Sequence, residues 1–239
     1  MQKKIGLIHK SMMKNKRAVL MLVATCLTVS TYAQQHETRL YQQTAGDYAG
    51  LYQGHLEDEL VQRVWADIPY LDTSEFRPGS ICYAGVVYED VPIRYDAHAQ
   101  YVVVMSPVRN AKMVPDQRQV EWFTLDGDRF VPNVARGGFS RQVYAGRKVS
   151  LLDHRYKTVG ARTESMGKLY RTFNSRQQYY VMAGGVQTPV SSFAQLVGLF
   201  PEYRQELQRY RREHHLKFSA GQRESSLSGC IRYLNTLIP

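Results

Sequence analysis

The fold is decided between Cys82 and Met105, where the chain reads CYAGVVYEDVPIRYDAHAQYVVVM. Apolar and polar residues alternate along the middle of this stretch, which predicts a strand with one buried and one wet face. The predicted buried face carries Val87, Val91, Ile93 and Tyr95, and the wet face carries Tyr88, Asp90 and Arg94. The last five residues, Tyr101–Met105, do not alternate, which predicts a central strand covered on both sides.

Reversals between such runs recur as far as residue 190. Two-residue β-turns need positive φ, which glycine tolerates and Asp-Gly favours. We therefore predict hairpin turns at four glycine-containing sites and a fifth reversal at Tyr95–His98. The four sites are Ala84-Gly85, Asp126-Gly127, Ala145-Gly146 and Gly184-Gly185. Hairpins in succession predict an antiparallel β-meander over roughly residues 80–190.

Residues 191–239 switch to helical spacing. Ser192 and Gln195 have the spacing of a capping box, which predicts a short helix ending at Phe200. Pro201 suits the first turn of a second helix, and a third is predicted from about Glu224. Each helix has a one-sided apolar stripe, so we expect all three to pack on the sheet. The predicted fold class is α+β, a β-meander followed by a three-helix C-terminal segment.

We predict one folded domain over residues 34–239, preceded by a signal peptide at residues 1–33. Within the domain, residues 34–79 are weakly patterned, and Leu56–Trp65 is a candidate short helix there. Residues 80–190 are β-rich and residues 191–239 are helical. About 206 residues are enough to bury a sizeable core.

The N-terminal residues have the three parts of a secretory signal peptide. A basic cluster precedes the apolar run Ala18–Val29, and small residues then place the cleavage between Ala33 and Gln34. A spanning helix needs about 18 apolar residues, so we expect no transmembrane span after cleavage. A lipoprotein through Cys26 is the weaker alternative, because Thr25 is larger than the residue normally found before a modified cysteine. The predicted location is periplasmic or outer-membrane-associated.

The charge of the chain changes when the leader is removed. The full sequence has 31 basic and 21 acidic residues and a net charge of +10. Six of the basic residues and none of the acidic ones lie in residues 1–33, so residues 34–239 carry 25 basic and 21 acidic residues, a net charge of +4. This near-neutral balance gives little reason to expect nucleic acid as a partner.

Cysteines and histidines give no sign of a metal or cofactor site. Cys82 lies on a strand-like run and Cys230 on an apolar helical face, so we expect two separately buried thiols. His214 and His215 are adjacent on a helix, where side chains diverge by about 100° and cannot both reach one ion. We predict an ordinary helix end there, and neither a metal nor a cofactor.

No catalytic residue is predicted. Ser165-Met166-Gly167-Lys168 has the Ser-x-x-Lys outline of penicillin-binding enzymes, but the chain lacks the Ser-Asp-Asn and Lys-Thr-Gly elements that complete such a site. The interpretation of this segment is a polar connector. Glu57-Asp58-Glu59 and Glu89-Asp90 are the densest carboxylate groups. We expect them on the solvated surface, because glycoside chemistry needs two acids at a set separation across a cleft.

Tyrosine is unusually frequent, at 17 of 239 residues. Sheet packing explains most of this excess, and an exposed binding face is the alternative. The arginine-rich segment 204–212 has glutamates interspersed. It predicts a mixed-charge solvated face rather than a phosphate-binding track.

Two stretches, Pro78–Asp96 and Gln178–Asn235, resemble a family of exported, uncharacterised proteins of Bacteroidota. The match covers about two thirds of the chain after the leader. The resemblance implies a Gram-negative envelope setting and names no catalytic residue.

The leading hypothesis is therefore an exported, non-enzymatic envelope protein that binds a partner protein or a surface polymer. A periplasmic hydrolase is the first alternative, with a site assembled from distant residues, such as a Ser-His pair in hydrogen-bond reach. A small-ligand carrier with a cavity inside a curved sheet is the other.

Overall fold

A computed structural model describes residues 49–58, 67–107, 109–165 and 168–239, all within the compact unit Asp47–Pro239. The predicted signal peptide, its cleavage site at Ala33 and Gln34, and Cys26 lie outside these residues, as does most of the candidate helix Leu56–Trp65. The start of that segment is extended, because His55–Leu56 forms a short strand.

Eleven strands occur in the described residues, and all join one antiparallel sheet. They are β1 (His55–Leu56), β2 (Arg77–Tyr83), β3 (Val86–Asp96), β4 (Tyr101–Met105), β5 (Lys112–Val114), β6 (Val120–Leu125), β7 (Asp128–Pro132), β8 (Phe139–Tyr144), β9 (Val149–Ser165), β10 (Lys168–Ala183) and β11 (Val186–Val190).

The strand order is β1-β5-β4-β3-β2-β6-β7-β8-β9-β10-β11. Strands β2 to β5, and again β6 to β11, are neighbours in the order of the chain, so the predicted meander is confirmed within each run. The two runs are joined where β6 returns to pair with β2, through a connection that contains the short 3-10 helix Gln117–Gln119. Nothing in the sequence marks this crossover, because a connection of that length is compatible with pairing on either side of the first run.

Three of the predicted glycine turns are tight two-residue hairpins. Both central residues have positive φ at Ala84-Gly85, Asp126-Gly127 and Gly184-Gly185, as type I′ turns require. The fourth site, Ala145-Gly146, differs because it belongs to a longer loop and Gly146 does not have positive φ. A Cβ on Gly146 would lie 2.1 Å from the carbonyl oxygen of Val149. Glycine is needed there for a close backbone approach.

A β-bulge corrects the predicted faces of β3. Asp90 has a φ of 54°, and the pairing of β2 with β3 shifts register opposite it. The extra residue puts Tyr88 on the same side as Val91, and both are buried. Arg94, also predicted to be wet, is buried as well. The prediction for β4 is confirmed, since it lies between β3 and β5 and Val102–Val104 are fully buried.

The middle of the sheet rolls around an aromatic core. The ring of Tyr95 on β3 lies 5.7–6.2 Å from those of Phe123, Phe130 and Phe139, on β6, β7 and β8. The backbone N–H of Lys157 on β9 donates to the carbonyl of Ala97, just after β3, at 2.7 Å. The sheet is therefore rolled far enough for the residue after β3 to contact β9, although the two strands do not pair.

Three helices follow the sheet, as predicted: α1 (Phe193–Leu199), α2 (Arg204–Glu213) and α3 (Arg223–Leu237). Ser192 caps α1, its hydroxyl accepting from the N–H of Gln195 at 3.2 Å. Pro201 begins a 3-10 turn that leads into α2. Leu151 and Leu152 are both buried and point to opposite faces of β9, which is therefore covered on both sides.

The helices pack on β9, β10 and β11 through a second buried cluster. Its main members are Val149, Leu151, Tyr179, Val181, Val190, Leu196, Phe200, Leu207, Leu227, Cys230, Ile231 and Leu234. The α+β fold class is thereby confirmed. Cys82 lies on β2 and Cys230 on α3, and both are free, buried thiols as the sequence predicts.

Candidate functional site

The described residues contain no cluster of three or more His, Cys, Asp or Glu side chains that could hold a metal ion. His214 follows the last residue of α2, and His215 has a φ of 50° in the left-handed region. The ring of His214 lies 4.2 Å from that of Tyr210. His214 and His215 therefore lie at the C-terminal end of α2, as the sequence predicts.

The acidic group at Glu57-Asp58-Glu59 is not simply solvated surface. The Glu57 side chain is 1% exposed and forms an ion pair with the guanidinium of Arg94. That guanidinium stacks on the rings of Tyr70 and Phe76, with centroid distances of 3.9 and 4.5 Å. Arg94 thus fixes the segment before β2 against β3, which is a structural role. Glu59 lies outside the described residues.

Ser140 and His154 face each other on the paired strands β8 and β9, with Ser140 Oγ 3.3 Å from His154 Nδ1. The same Nδ1 lies 3.2 Å from the carbonyl oxygen of Phe139, which can only accept. Nδ1 therefore carries the ring proton and is no base toward the hydroxyl. Both residues are buried, at 0% and 1% exposure, and a hydrolytic nucleophile must be reached by its substrate. This pair belongs to the core.

Buried Asp153 on β9 lies at the junction of the sheet with α3. Arg141 contacts it at 3.1 Å, Arg155 at 2.9 Å and the Gln177 side chain at 2.9 Å. Arg141 also pairs with Glu224 in the first turn of α3. Burial lowers the pKa of Arg141, but the hydrogen bonds to Glu224 and Asp153 raise it further, and the net direction is upward. These ion pairs connect the first turn of α3 to strands β8 and β9.

The most distinctive surface is the outer part of the β9–β10 hairpin, residues 155–176, which we call the arm. β8 pairs with β9 only as far as Asp153, and β11 pairs with β10 only from Tyr179. Beyond these points β9 and β10 have only each other as strand partners among the described residues. The hairpin continues about 25 Å past Lys157, at roughly 3.3 Å per residue.

The arm is strongly basic. It contains one acidic residue, Glu164, and six basic residues, so its formal net charge is +5, against +4 for all of residues 34–239. Arg162 and Arg171 are direct cross-strand partners, and like charges in that position repel each other. The basic residues are Arg155, Lys157, Arg162, Lys168, Arg171 and Arg176.

An open groove of about 520 Å³ runs along the base of the arm. Its lining is mostly polar, with three basic residues and one acidic residue: Arg155, Lys157, Arg176 and Asp72, together with Tyr156, Ser175, Gln177, Leu71 and Ala97. The ammonium of Lys157 donates to the carbonyl of Ile68 at 2.8 Å, which holds the segment before β2 beside the groove. Arg176 is exposed and has no ion pair within the described residues.

The sequence predicts a polar connector at Ser165 and Lys168. They are instead paired residues at the end of β9 and β10, while Met166 and Gly167 lie outside the described residues. The net charge of residues 155–176 alone reveals this basic segment in the sequence. The net charge of the whole chain conceals it.

No protein-family model, curated protein or solved structure matches this chain. None of the helices in the described part of the chain combines the length and the hydropathy that a membrane crossing requires.

Proposed function

We propose that this chain is an exported, non-enzymatic protein of the cell envelope that binds an anionic surface polymer along its basic arm. The observation that carries the proposal is the concentration of charge: the arm has a net charge of +5, and the rest of residues 34–239 is close to neutral. Fields of one sign attract polyions of the other. The direct pairing of Arg162 with Arg171 adds a local repulsion that a bound anion relieves.

The shape of the arm favours a polymer over a compact ligand. A two-stranded ribbon presents charge along its length, and the groove at its base is open rather than enclosed. The arginine and serine side chains of the groove carry hydrogen-bond donors suited to carboxylates and hydroxyls. The predicted export supports an acidic polysaccharide as the polymer, since such polymers occur outside the cytoplasm. The same prediction supports a periplasmic or outer-membrane-associated location.

The alternatives have less support from the geometry. The Ser140–His154 pair lacks the access and the proton arrangement that a hydrolase needs. For a carrier, the interior of the rolled sheet would have to be open, but Tyr95, Phe123 and Phe130 fill it.

The test is binding of polygalacturonate, with neutral dextran and duplex DNA as comparison polymers. The arm variant is Arg162→Gln/Arg171→Gln/Arg176→Gln. The control is Arg147→Gln/Lys148→Gln/Lys217→Gln, which removes three exposed cations elsewhere. We expect polygalacturonate to bind the natural chain and the control equally, and the arm variant at least tenfold more weakly. Equal binding by the arm variant, or tighter binding of DNA, would overturn the proposal.

A further inference from the structure

A second basic site lies in the helical layer. A pocket of about 480 Å³ opens between α1 and α2. Phe193, Ala194 and Val197 line its α1 side, and Arg204, Gln208, Arg211 and Arg212 line its α2 side. No carboxylate contributes to the lining, although α2 itself contains glutamates.

The charges of α2 are separated onto two sides. A hydrogen bond with Tyr233 raises the pKa of Arg209, and the charges of Glu213 and Glu206 raise it further. The two glutamates therefore act on the side of the helix that carries Arg209. Among the described residues, no carboxylate forms an ion pair with Arg204, Arg211 or Arg212. The face predicted to have mixed charge is thus purely basic where it meets α1.

Arg211 is held in place by aromatic rings. Its guanidinium carbon lies 4.7 Å from the centroid of Phe193 and 5.7 Å from that of Phe218, and the two rings are 5.3 Å apart. Stacking uses the face of the guanidinium and leaves its in-plane N–H groups available. Such an arrangement suits bidentate donation to a carboxylate or a phosphate.

We propose that this pocket binds a small amphipathic anion, with its carboxylate or phosphate group on the arginines and its apolar portion on Phe193 and Val197. The volume lies within the usual range of small-molecule sites. The apolar wall distinguishes the site from the arm, where the groove is polar, so the ligand is an alkyl anion rather than a polysaccharide segment. The proposal does not depend on polymer binding by the arm.

Titration calorimetry with octanoate, octyl phosphate, acetate, inorganic phosphate and octanol tests this site. We expect saturable binding of at least one octyl anion, and binding at least tenfold weaker for acetate, phosphate and octanol. Because a charge-assisted hydrogen bond is lost, Arg211→Gln and Arg204→Gln should each weaken binding about tenfold. The ratio of octanoate to octyl phosphate affinity shows which headgroup the arginines prefer.

Arg209→Gln is the matched control, since it removes the same charge from the other side of α2. It should leave the affinity unchanged. Failure of both octyl anions to bind, equal binding of octanol, or an equal effect of Arg209→Gln would overturn the proposal. The Arg204→Gln variant keeps the test decisive if Arg211→Gln does not fold.

Discussion

The hydroxyl of Tyr95 accepts a hydrogen bond from the backbone N–H of Phe139 at 3.0 Å and donates one to the Gln100 side chain at 3.0 Å. Strands β3 and β8 are not neighbours, because β2, β6 and β7 lie between them in the sheet. One hydroxyl therefore joins opposite walls of the rolled sheet. Burial raises the pKa of Tyr95, which keeps this hydroxyl protonated.

Replacing Tyr95 by phenylalanine should lower the free energy of unfolding by about 1–3 kcal/mol, because the buried N–H of Phe139 loses its acceptor. Urea denaturation measures the change. Tyr180→Phe is the control, since Tyr180 is equally buried and its hydroxyl makes no hydrogen bond within the described residues. Equal losses in the two variants would show that the hydroxyl of Tyr95 does not hold the walls together.

Gly146→Ala should destabilise the protein by about 1–3 kcal/mol, the usual range for overpacking. The new methyl group would lie 2.1 Å from the Val149 carbonyl oxygen and 2.4 Å from the Asn235 amide nitrogen. Gly198→Ala, in α1, meets nothing within 4 Å and should stabilise by about 0.5–1 kcal/mol. Thermal unfolding of the two variants distinguishes the sites, and a shift of the same sign in both would contradict this explanation of Gly146.

Arg94→Met should lower the free energy of unfolding by about 3–5 kcal/mol, because it removes one partner of a buried ion pair with Glu57. The double variant Arg94→Met/Glu57→Met should recover part of this loss. Arg118→Met is the control: Arg118 is 89% exposed and pairs with Asp116, and we expect little change in stability because water and salt screen such surface pairs. Strictly additive losses at Arg94 and Glu57, in a double-mutant cycle, would argue against a coupled pair.

The sequence predicts those parts of the fold whose causes are local. Positive φ at Ala84-Gly85 and the cap at Ser192 depend on a few neighbouring residues, so the hairpin and the helix start are both where the pattern indicates. The bulge at Asp90 cannot be predicted in this way, because it appears only once β2 and β3 are paired. The return of β6 to β2 is likewise set by packing of the whole sheet.

The same limit applies to the candidate site. Arg94 and Glu57 are 37 residues apart and become partners only through the fold, so each was predicted as a wet side chain. The basic residues of the arm are visible in the sequence. The sequence does not show that the arm extends beyond its neighbouring strands, because this depends on β8 and β11 ending beside the base of the hairpin.

Polymer binding by the arm should weaken as salt rises, because bound cations on the polymer are displaced when basic side chains replace them. We expect a linear fall of log K with log salt concentration for polygalacturonate. The slope should be shallower for Arg162→Gln/Arg171→Gln than for the natural chain. The exposed pair Arg147→Gln/Lys148→Gln is the control and should keep the natural slope. A slope that does not change in the arm variant would show that other residues contact the polymer.

His154 makes the stability of the core depend on pH. Its Nδ1 donates to the carbonyl of Phe139, and its Nε2 is buried with no hydrogen-bond partner among the described residues. Tyr156 and Tyr180 pack against the ring. Burial lowers the pKa of His154 and the nearby charge of Arg136 lowers it further, although the Phe139 carbonyl and Asp153 act in the opposite direction.

When the pKa of a histidine is lower in the folded than in the unfolded chain, its protonation favours the unfolded chain. The fold is therefore most stable at a pH where the histidine is neutral in both the folded and the unfolded chain. As the pH falls below about 6.5, the unfolded chain takes up a proton before the folded one does, so the free energy of unfolding should decrease. Each unit by which the folded pKa lies lower contributes about 1.4 kcal/mol to this decrease. We therefore expect the free energy of unfolding, measured by urea denaturation between pH 8 and 5, to change less with pH in His154→Gln than in the natural chain. His215→Gln is the control: it also removes one imidazole, but an exposed one, and should keep the pH dependence of the natural chain. If His154→Gln kept the full pH dependence, the titrating group would lie elsewhere.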